Sequence, residues 1–579
     1  MLSTPQKSTP LNQIKIKDIL FLLIGLFIFY ALWLGSYPLF TPDEARYSEI
    51  AREMLTSHNF ITPNLNGVAF LDKPILYYWL QASMIHLFGL KEWALRFWPM
   101  CLGIICCLIS YSAGCLLLNR RIGLLAALIL ATSPLYYGGS HYANLDLEVA
   151  SFISNALLCF IIAIETNKPS QRQIFLILAY IMTSLAFLTK GLIGIVFPIL
   201  IIGLWIFLLK RWQIFLRLHL ITGLIIFLLI AAPWYILVQK ANPQFFHYFF
   251  LTQQFSRFLT KGDFNNQTSV WFYLPVVFAG FAPWSLFLIQ AMFYHLKIIL
   301  KNCQLHRIEL FLILWSVSIF LFFSIPKSKT LGYILPIFPA LALIIANYLD
   351  IFWNKLYATG IHIGIISFTL LCMISSCICI LIPEIAYFAV SKSMTLYLNI
   401  TAGILIIAVL FTLYFLYQKQ FKFIIYILFV TSVLFLLTFI SSAATINHKS
   451  IKSVALILKP LLQPQDEVVT YQKYFQDLPI YLQHRIIIAA DWHANYILHH
   501  DNWQRELWFG MPYQDTSSWL IEEPTFWQHW HSKKRVFVFM YNEYYADFVK
   551  LAHDPVYKIA QSSEFTLVSN THFTLQNPT

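Results

Sequence analysis

Long unbroken apolar runs constrain this chain more than any other feature of its sequence. A run of roughly 17–25 such residues is the length a helix needs to cross the hydrocarbon core of a bilayer. Such runs recur near residues 19–37, 97–118, 122–138, 148–164, 174–189, 191–209, 218–238, 271–294, 308–325, 331–349, 358–382, 395–417 and 423–443. Backbone in lipid must satisfy its own hydrogen bonds, so these runs are expected to be helices, about thirteen of them. Composition removes the alternatives. Of the 579 residues, 59% are hydrophobic and 11% charged, where soluble domains have about 45–50% and about 25%. With 51 Phe, 31 Tyr and 17 Trp, the chain is neither a solvated tail nor a coiled coil. The expected class is a polytopic α-helical membrane protein.

A net charge of +12 would point to a polyanion partner in a soluble protein. Here the basic residues fill short gaps between apolar runs, and no basic patch suits a nucleic-acid groove. With Lys7, Lys15 and Lys17 in the cytoplasm, alternation puts Arg120–Arg121, Lys168 with Arg172, Lys210–Arg211, Lys297 through Arg307, Lys355, and Lys419 with Lys422 on the same side. That is the positive-inside pattern, and it leaves the C-terminus outside. The first run is long for a signal peptide and lacks a small-residue cleavage pattern, so it reads as a retained helix. All the cysteines except Cys303 lie in apolar runs, and none follows Cys379. None has the neighbours a metal site needs.

Apolar runs stop near residue 444. Residues 1–443 therefore read as a transmembrane domain, with amphipathic first-loop helices at 42–90, and 444–579 as a soluble domain of mixed α and β character. Val468–Tyr471, Arg485–Ala490 and Arg535–Met540 read as strands and Asn542–Ala552 as a helix.

The outer loops carry the chemistry. Thr41-Pro42-Asp43-Glu44 reads as a helix start, with Thr41 as cap, Pro42 in the first position and Glu44 closing a capping box. Ile50, Ala51, Met54 and Leu55 form an apolar stripe, with Asp43, Arg46, Glu49 and Arg52 on the remaining surface, which suits a helix lying on the membrane. On spacing alone Asp43 and Glu44 are explained by the helix dipole, and Lys73 beside Asp72 by a solvated ion pair. Asp146 lies between two spans, where charge is costly unless it serves a site. Lys190, Arg257, Lys327 and Lys329 are cations on the same side, with Tyr333 one turn after Lys329. Cations gathered near the interface suit a lipid phosphate, and a carboxylate among them suits orientation of an acceptor or base catalysis.

Phe40-Thr-Pro-Asp-Glu-Ala-Arg-Tyr47, Leu71-Asp-Lys-Pro74, Leu188-Thr-Lys-Gly191 and Phe323-Ser-Ile-Pro-Lys-Ser-Lys329 with Tyr333-Ile-Leu-Pro336 resemble the bacterial lipid A aminoarabinose transferase family. These are GT-C membrane glycosyltransferases related to protein O-mannosyltransferases. The resemblance covers about residues 1–445, and the C-terminal domain matches by position only. It implies thirteen transmembrane helices, a C-terminal periplasmic domain, an undecaprenyl-phosphate sugar donor and inversion at the anomeric carbon. It makes Asp43 the leading catalytic or acceptor-orienting group and Asp146 the second acid. Lys73, Arg257 and Tyr333 are implied to hold or shape the donor phosphate site, with Lys190, Lys327, Lys329, Glu44 and Arg46 beside them. Gln253-Gln254 stands where the family commonly has Glu-His, and Asp72 where it has Glu. No motif demands a divalent cation, although some GT-C enzymes use one.

The expected function is transfer of a sugar, 4-amino-4-deoxy-L-arabinose, from undecaprenyl phosphate to a lipid A phosphate at the periplasmic face of the inner membrane. Two alternatives stand beside it. One is a polyprenyl-phosphate transferase with another sugar or a protein Ser/Thr acceptor. The other is a lipid-phosphate flippase, which would more often show repeated halves with charges near the midplane.

Overall fold

Pro134 and Pro283 interrupt two of the apolar runs, and both runs fold differently from single spans. Residues 122–138 become the helices Arg120–Ala131 and Pro134–Ser140, bent by 67°, and residues 271–294 become Val270–Gly280 and Trp284–Lys301, bent by 107°. Proline removes a helix hydrogen bond and clashes with the preceding turn, so the freed groups need other partners. The Thr132 and Ser133 hydroxyls donate back to the Leu128 and Ile129 carbonyls, each at 2.7 Å. Trp284 Nε1 then donates to the Thr132 hydroxyl at 3.0 Å, so each break braces the other. The computed structural model describes residues 14–256, 268–353, 358–385, 390–447, 449–493, 497 and 503–572. Among them nine helices are long and apolar enough to cross a membrane, or up to eleven if each bent pair is one span. Two further runs give shorter helices, Ile16–Ala31 and Ile193–Leu209, of 16 and 17 residues.

Contacts divide the chain into two units. The first comprises Met1–Leu34, Arg96–Ile236 and Asn266–Thr445, and all or most of each span lies in it. At its centre stands Leu145–Glu165, whose apolar window is wholly buried, whereas that of Leu220–Ala241 is only 28% buried. A helix apolar all round is a core helix, and a half-buried apolar one presents its outer face to lipid. Several arginines in the gaps are paired with acids: Arg120 with Asp18 at 2.6 Å, Arg121 with Asp350 at 2.8 Å, and Arg211 and Arg307 with Glu165 at 2.9 and 2.7 Å.

The second unit comprises Gly35–Leu95, Leu237–Asn265 and Ile446–Thr579. It contains the first loop as well as the C-terminal residues. A hairpin of β1 (Asn64–Leu65) and β2 (Val68–Ala69) turns at Asn66-Gly67, with φ of 50° and 79°. Both central residues of this turn need positive φ, which Asn and Gly adopt most easily. The other strands are β3 (Glu467–Tyr471), β4 (Ile487–Ala489), β5 (Leu520–Ile521), β6 (Val536–Tyr541), β7 (Tyr557–Gln561) and β8 (Phe565–Ser569), in the sheet order β5-β4-β3-β6-β8-β7. β3, β4, β5 and β6 pair in parallel, and β8 joins β6 and β7 antiparallel. Alternation along each strand makes two cores. Val468, Phe537, Phe539 and Leu567 pack on one face with Leu478 and Leu458. Val469, Val538, Met540 and Val568 pack on the other with Phe526, Trp530 and Phe548.

The three strands read from sequence fall at β3, β4 and β6, with β4 beginning at Ile487 rather than Arg485. The helix expected over Asn542–Ala552 is regular only over Tyr545–Ala552. A larger correction concerns the first-loop helix. It begins at Asp43 with Pro42 in the cap position, and Thr41 makes no cap bond. Instead the Glu44 carboxylate accepts from the Phe40 N–H at 2.8 Å, doing a capping box's work one residue earlier. Nor do Glu49 and Arg52 face solvent; they are 0% and 8% exposed. They bury as a bidentate pair at 2.7 and 2.6 Å, so the helix is enclosed nearly all round.

Candidate functional site

In the first unit, Asp146 stands in the first turn of Leu145–Glu165, where the Asn144 side chain caps the helix by accepting from the Asp146 N–H at 2.9 Å. Its carboxylate pairs with the Lys190 ammonium, at the last position of Pro169–Lys190. The same ammonium lies 4.0 Å from the centre of the Tyr333 ring. One lysine thus sits between a carboxylate and an aromatic face. Gly332 makes the arrangement fit: a Cβ there would stand 2.6 Å from the Asp146 Cβ. Lys329 is buried and donates to the Thr268 carbonyl at 3.3 Å. Lys327 exposes its side chain while its carbonyl accepts from the Thr268 N–H and hydroxyl, at 3.0 and 2.9 Å. The Tyr273 hydroxyl donates to the Thr330 carbonyl at 3.0 Å, which fixes this strand-like stretch before Tyr333.

In the second unit, Asp43 begins the helix Asp43–Ser57, and Arg46 sits one turn on. The Arg46 guanidinium bridges two acids, Asp43 and Glu506. The Arg46 side chain is 11% exposed, against 35% for Asp43. Burial works against the Arg46 charge, but the charges of Glu506 and Asp43 outweigh it and raise its pKa. Gln476 Nε2 donates to the second Glu506 oxygen at 3.3 Å. Nearby, the Tyr248 hydroxyl donates to Asp72 and accepts from Gln253 Nε2 at 2.8 Å, and the Tyr248 ring lies 5.2 Å from Phe509. Lys73 follows Asp72 and is half-buried. Arg257 and the Gln254 side chain lie outside the described residues.

Elsewhere in the first unit a cavity of about 400 Å³ opens between the two helix breaks, lined by Thr132, Pro134, Pro283, Phe368, Leu405 and Phe435 among others. It suits hydrocarbon and offers no charge. Among the described residues no group of three or more His, Cys, Asp or Glu side chains could hold a metal ion.

Two family models match the chain: a dolichyl-phosphate-mannose-protein mannosyltransferase model over residues 72–237, and an aminoarabinose transferase C-terminal domain model over residues 454–570. An undecaprenyl phosphate-alpha-4-amino-4-deoxy-L-arabinose arabinosyl transferase from Enterobacter sp. (strain 638) is 32% identical over 333 residues, 57% of this chain and 59% of that one. The Aeromonas salmonicida (strain A449) protein of the same name is 33% identical over 323 residues, 55% and 57% of the two chains. Over these stretches the chain is similar to the aminoarabinose transferases. The matched stretch spans less than two thirds of either curated protein. The crystal structure of ArnT from Cupriavidus metallidurans bound to undecaprenyl phosphate superposes with a TM-score of 0.80 at 23% identity, over 96% of this chain and 99% of that one. The fold is that GT-C fold, a multi-pass membrane protein with a C-terminal sheet.

Against this fold, sequence reasoning missed Glu506 and Tyr248. Glu506 lies in a short helix, Trp503–Trp508, with no motif around it. Tyr248 is one of several aromatic residues in His247-Tyr-Phe-Phe250, and its hydroxyl contact with Asp72 is visible only in the fold.

Proposed function

We propose that the chain is an inverting glycosyltransferase that moves a sugar, 4-amino-4-deoxy-L-arabinose, from undecaprenyl phosphate to a lipid A phosphate at the periplasmic face of the inner membrane. Residues 1–443 form its transmembrane GT-C domain, with a cytoplasmic N-terminus, and 444–579 its periplasmic domain. The observation that carries the reading is Asp43, half-exposed at a helix start and held by a largely enclosed arginine that a second acid fixes. The names of the curated relatives supply the donor and the sugar.

An oxygen of the acceptor phosphate attacks the anomeric carbon as the bond from that carbon to the donor phosphate breaks, and undecaprenyl phosphate leaves. A phosphate acceptor is already anionic, so the acid need not take a proton. Asp43 orients the acceptor and stabilises positive charge developing on the sugar. Lys73 and Arg257 neutralise the donor phosphate as it takes up the bonding electrons. Asp146 serves as the second catalytic acid, and Lys190 and Tyr333, with Lys327 and Lys329, bind substrate beside it. Glu44 and Arg46 support Asp43.

Mass spectrometry of lipid A from cells with and without the protein tests this, with Asp43→Asn alongside. A mass gain of one pentosamine that Asp43→Asn loses is expected. Unchanged lipid A would overturn the acceptor. The match of residues 72–237 to a protein mannosyltransferase model favours one second reading, transfer to protein Ser or Thr. There the hydroxyl needs a base and Asp43 takes the proton. Label from the donor appearing in protein rather than lipid A would select it.

A further inference from the structure

A cavity of about 330 Å³ in the second unit is lined by Arg52, Glu53, Thr56, Ser57, Asn64, Gly67 and Arg485. It belongs to neither charged cluster described above. Arg52 follows Asp43 by nine residues, two and a half helical turns, so the two side chains leave the helix on opposite sides.

The charges around the cavity do not cancel. Arg52 is committed to Glu49 through two hydrogen bonds. Glu53 accepts from the Gly67 N–H at 2.9 Å, and burial together with the Glu49 charge pushes its carboxyl up to about 8, so it is largely uncharged at neutral pH. Arg485 remains. It is exposed and makes no ion pair among the described residues. Yet it is well placed: its guanidinium lies 4.8 Å from the centre of the Trp519 ring. Its other side meets Gly67, where a Cβ would stand 2.8 Å from the guanidinium carbon. Only glycine permits that approach, at a φ of +79°. The turn is held in turn by the Asn66 side chain, which donates to the Ile486 carbonyl at 2.9 Å and accepts from its N–H at 3.1 Å, and by Gln514 donating to the Gly67 carbonyl at 2.6 Å. An arginine placed between a ring and a glycine backbone, with no carboxylate partner among the described residues, has less rotamer freedom to lose when a ligand arrives, which lowers the cost of binding.

The rest of the lining narrows the ligand. The Thr56 and Ser57 hydroxyls donate to the Glu53 carbonyl at 3.1 and 2.7 Å. Their remaining capacity is as acceptors, which suits hydroxyl groups on the ligand. We propose that this cavity binds a phosphate group carried on a hydroxyl-bearing headgroup, with Arg485 as its bidentate anchor. The headgroup comes either from a phosphorylated sugar or from an anionic phospholipid.

Isothermal titration of the full chain in phosphatidylcholine nanodiscs with glucosamine 6-phosphate, and with glucosamine as control, tests the first source. A thermal-midpoint comparison between phosphatidylcholine and phosphatidylglycerol nanodiscs tests the second. Arg485→Met keeps the stem against Trp519 and removes the charge; Arg485→Lys keeps the charge and removes the planar fork. Expected is binding of the sugar phosphate and not of glucosamine, weakened at least tenfold by Arg485→Met and less by Arg485→Lys, which identifies a glycan phosphate. A midpoint rise in phosphatidylglycerol that vanishes in Arg485→Met identifies a lipid headgroup and supports the same anchor. Identical behaviour of wild type and Arg485→Met in both arms, with the variant's melting in phosphatidylcholine unchanged, overturns the proposal.

Discussion

Asp43 is held by one residue from its own helix and, through that residue, by an acid from the far end of the chain. Replacing it with Asn keeps the shape and removes the charge, so transfer is expected to fall at least about 100-fold while the protein still folds, measured as sugar incorporated into lipid A. Glu506→Gln acts one step further out. It leaves Arg46 with only Asp43 of these two acids to pair with, drawing the guanidinium over the carboxylate proposed to face substrate. The expected loss is about tenfold, falling on kcat rather than KM and partly restored in Glu506→Asp. Asp43 was legible because its motif surrounds it in sequence. Glu506 was not, because nothing in Trp503–Trp508 announces a partner so distant along the chain. Burial adds a pH dependence at this scale. It pushes Asp477 from 3.8 up to about 6 and Glu53 from 4.5 up to about 8. From the unfolded values up to these folded ones, the folded state binds more protons than the unfolded, so stability is full below about pH 4 and declines as pH rises. Glu53→Gln removes the upper part of that decline and is expected to stabilise the protein at pH 8 by about 1–3 kcal/mol, read as a higher Tm there and little change at pH 5.

Elements were legible where one local property sufficed. Length and apolarity found the spans, but a hydropathy window averages across Pro134 and Pro283 and so conceals both breaks. The prolines were the available signal; that the chain bends there by 67° and 107° depends on Thr132 and Trp284 meeting from separate runs. The first-loop helix was misread for a related reason. Charges at Glu49 and Arg52 look like a solvated face until the pair is seen to neutralise itself in the interior. Among elements, the junction at Gly332 is sensitive to a small change. Gly332→Ala places a methyl against the Asp146 side chain and forces it away from Lys190. Transfer is expected to drop about 10–100-fold, with KM for donor rising, while Gly138→Ala, where a Cβ meets nothing within 4 Å, is expected to leave activity intact.

For the whole molecule, the orientation rests on counting Lys and Arg in short gaps, and the structure sharpens what that count means. Arg120, Arg121, Arg211 and Arg307 are each paired with an acid, so their net charge is small. The positive-inside tendency, however, counts basic residues and discounts Asp and Glu. Each of these pairs joins residues from separate gaps, so it requires the helices to have packed. The proposed orientation therefore keeps its direction, with gaps rich in arginine on the cytoplasmic side and the sheet domain on the periplasmic side. Cys303 lies in one such gap and is partly exposed, whereas no cysteine follows Cys379. That gives a test within one chain. Ser563→Cys places a thiol on an exposed turn between β7 and β8. In spheroplasts a membrane-impermeant maleimide is expected to label Ser563→Cys strongly and the parent chain at background level, with Cys303 labelled only after the membrane is opened. Equal labelling of Cys303 in sealed spheroplasts would overturn the proposed orientation, and with it the proposed periplasmic placement of the sheet domain and Asp43.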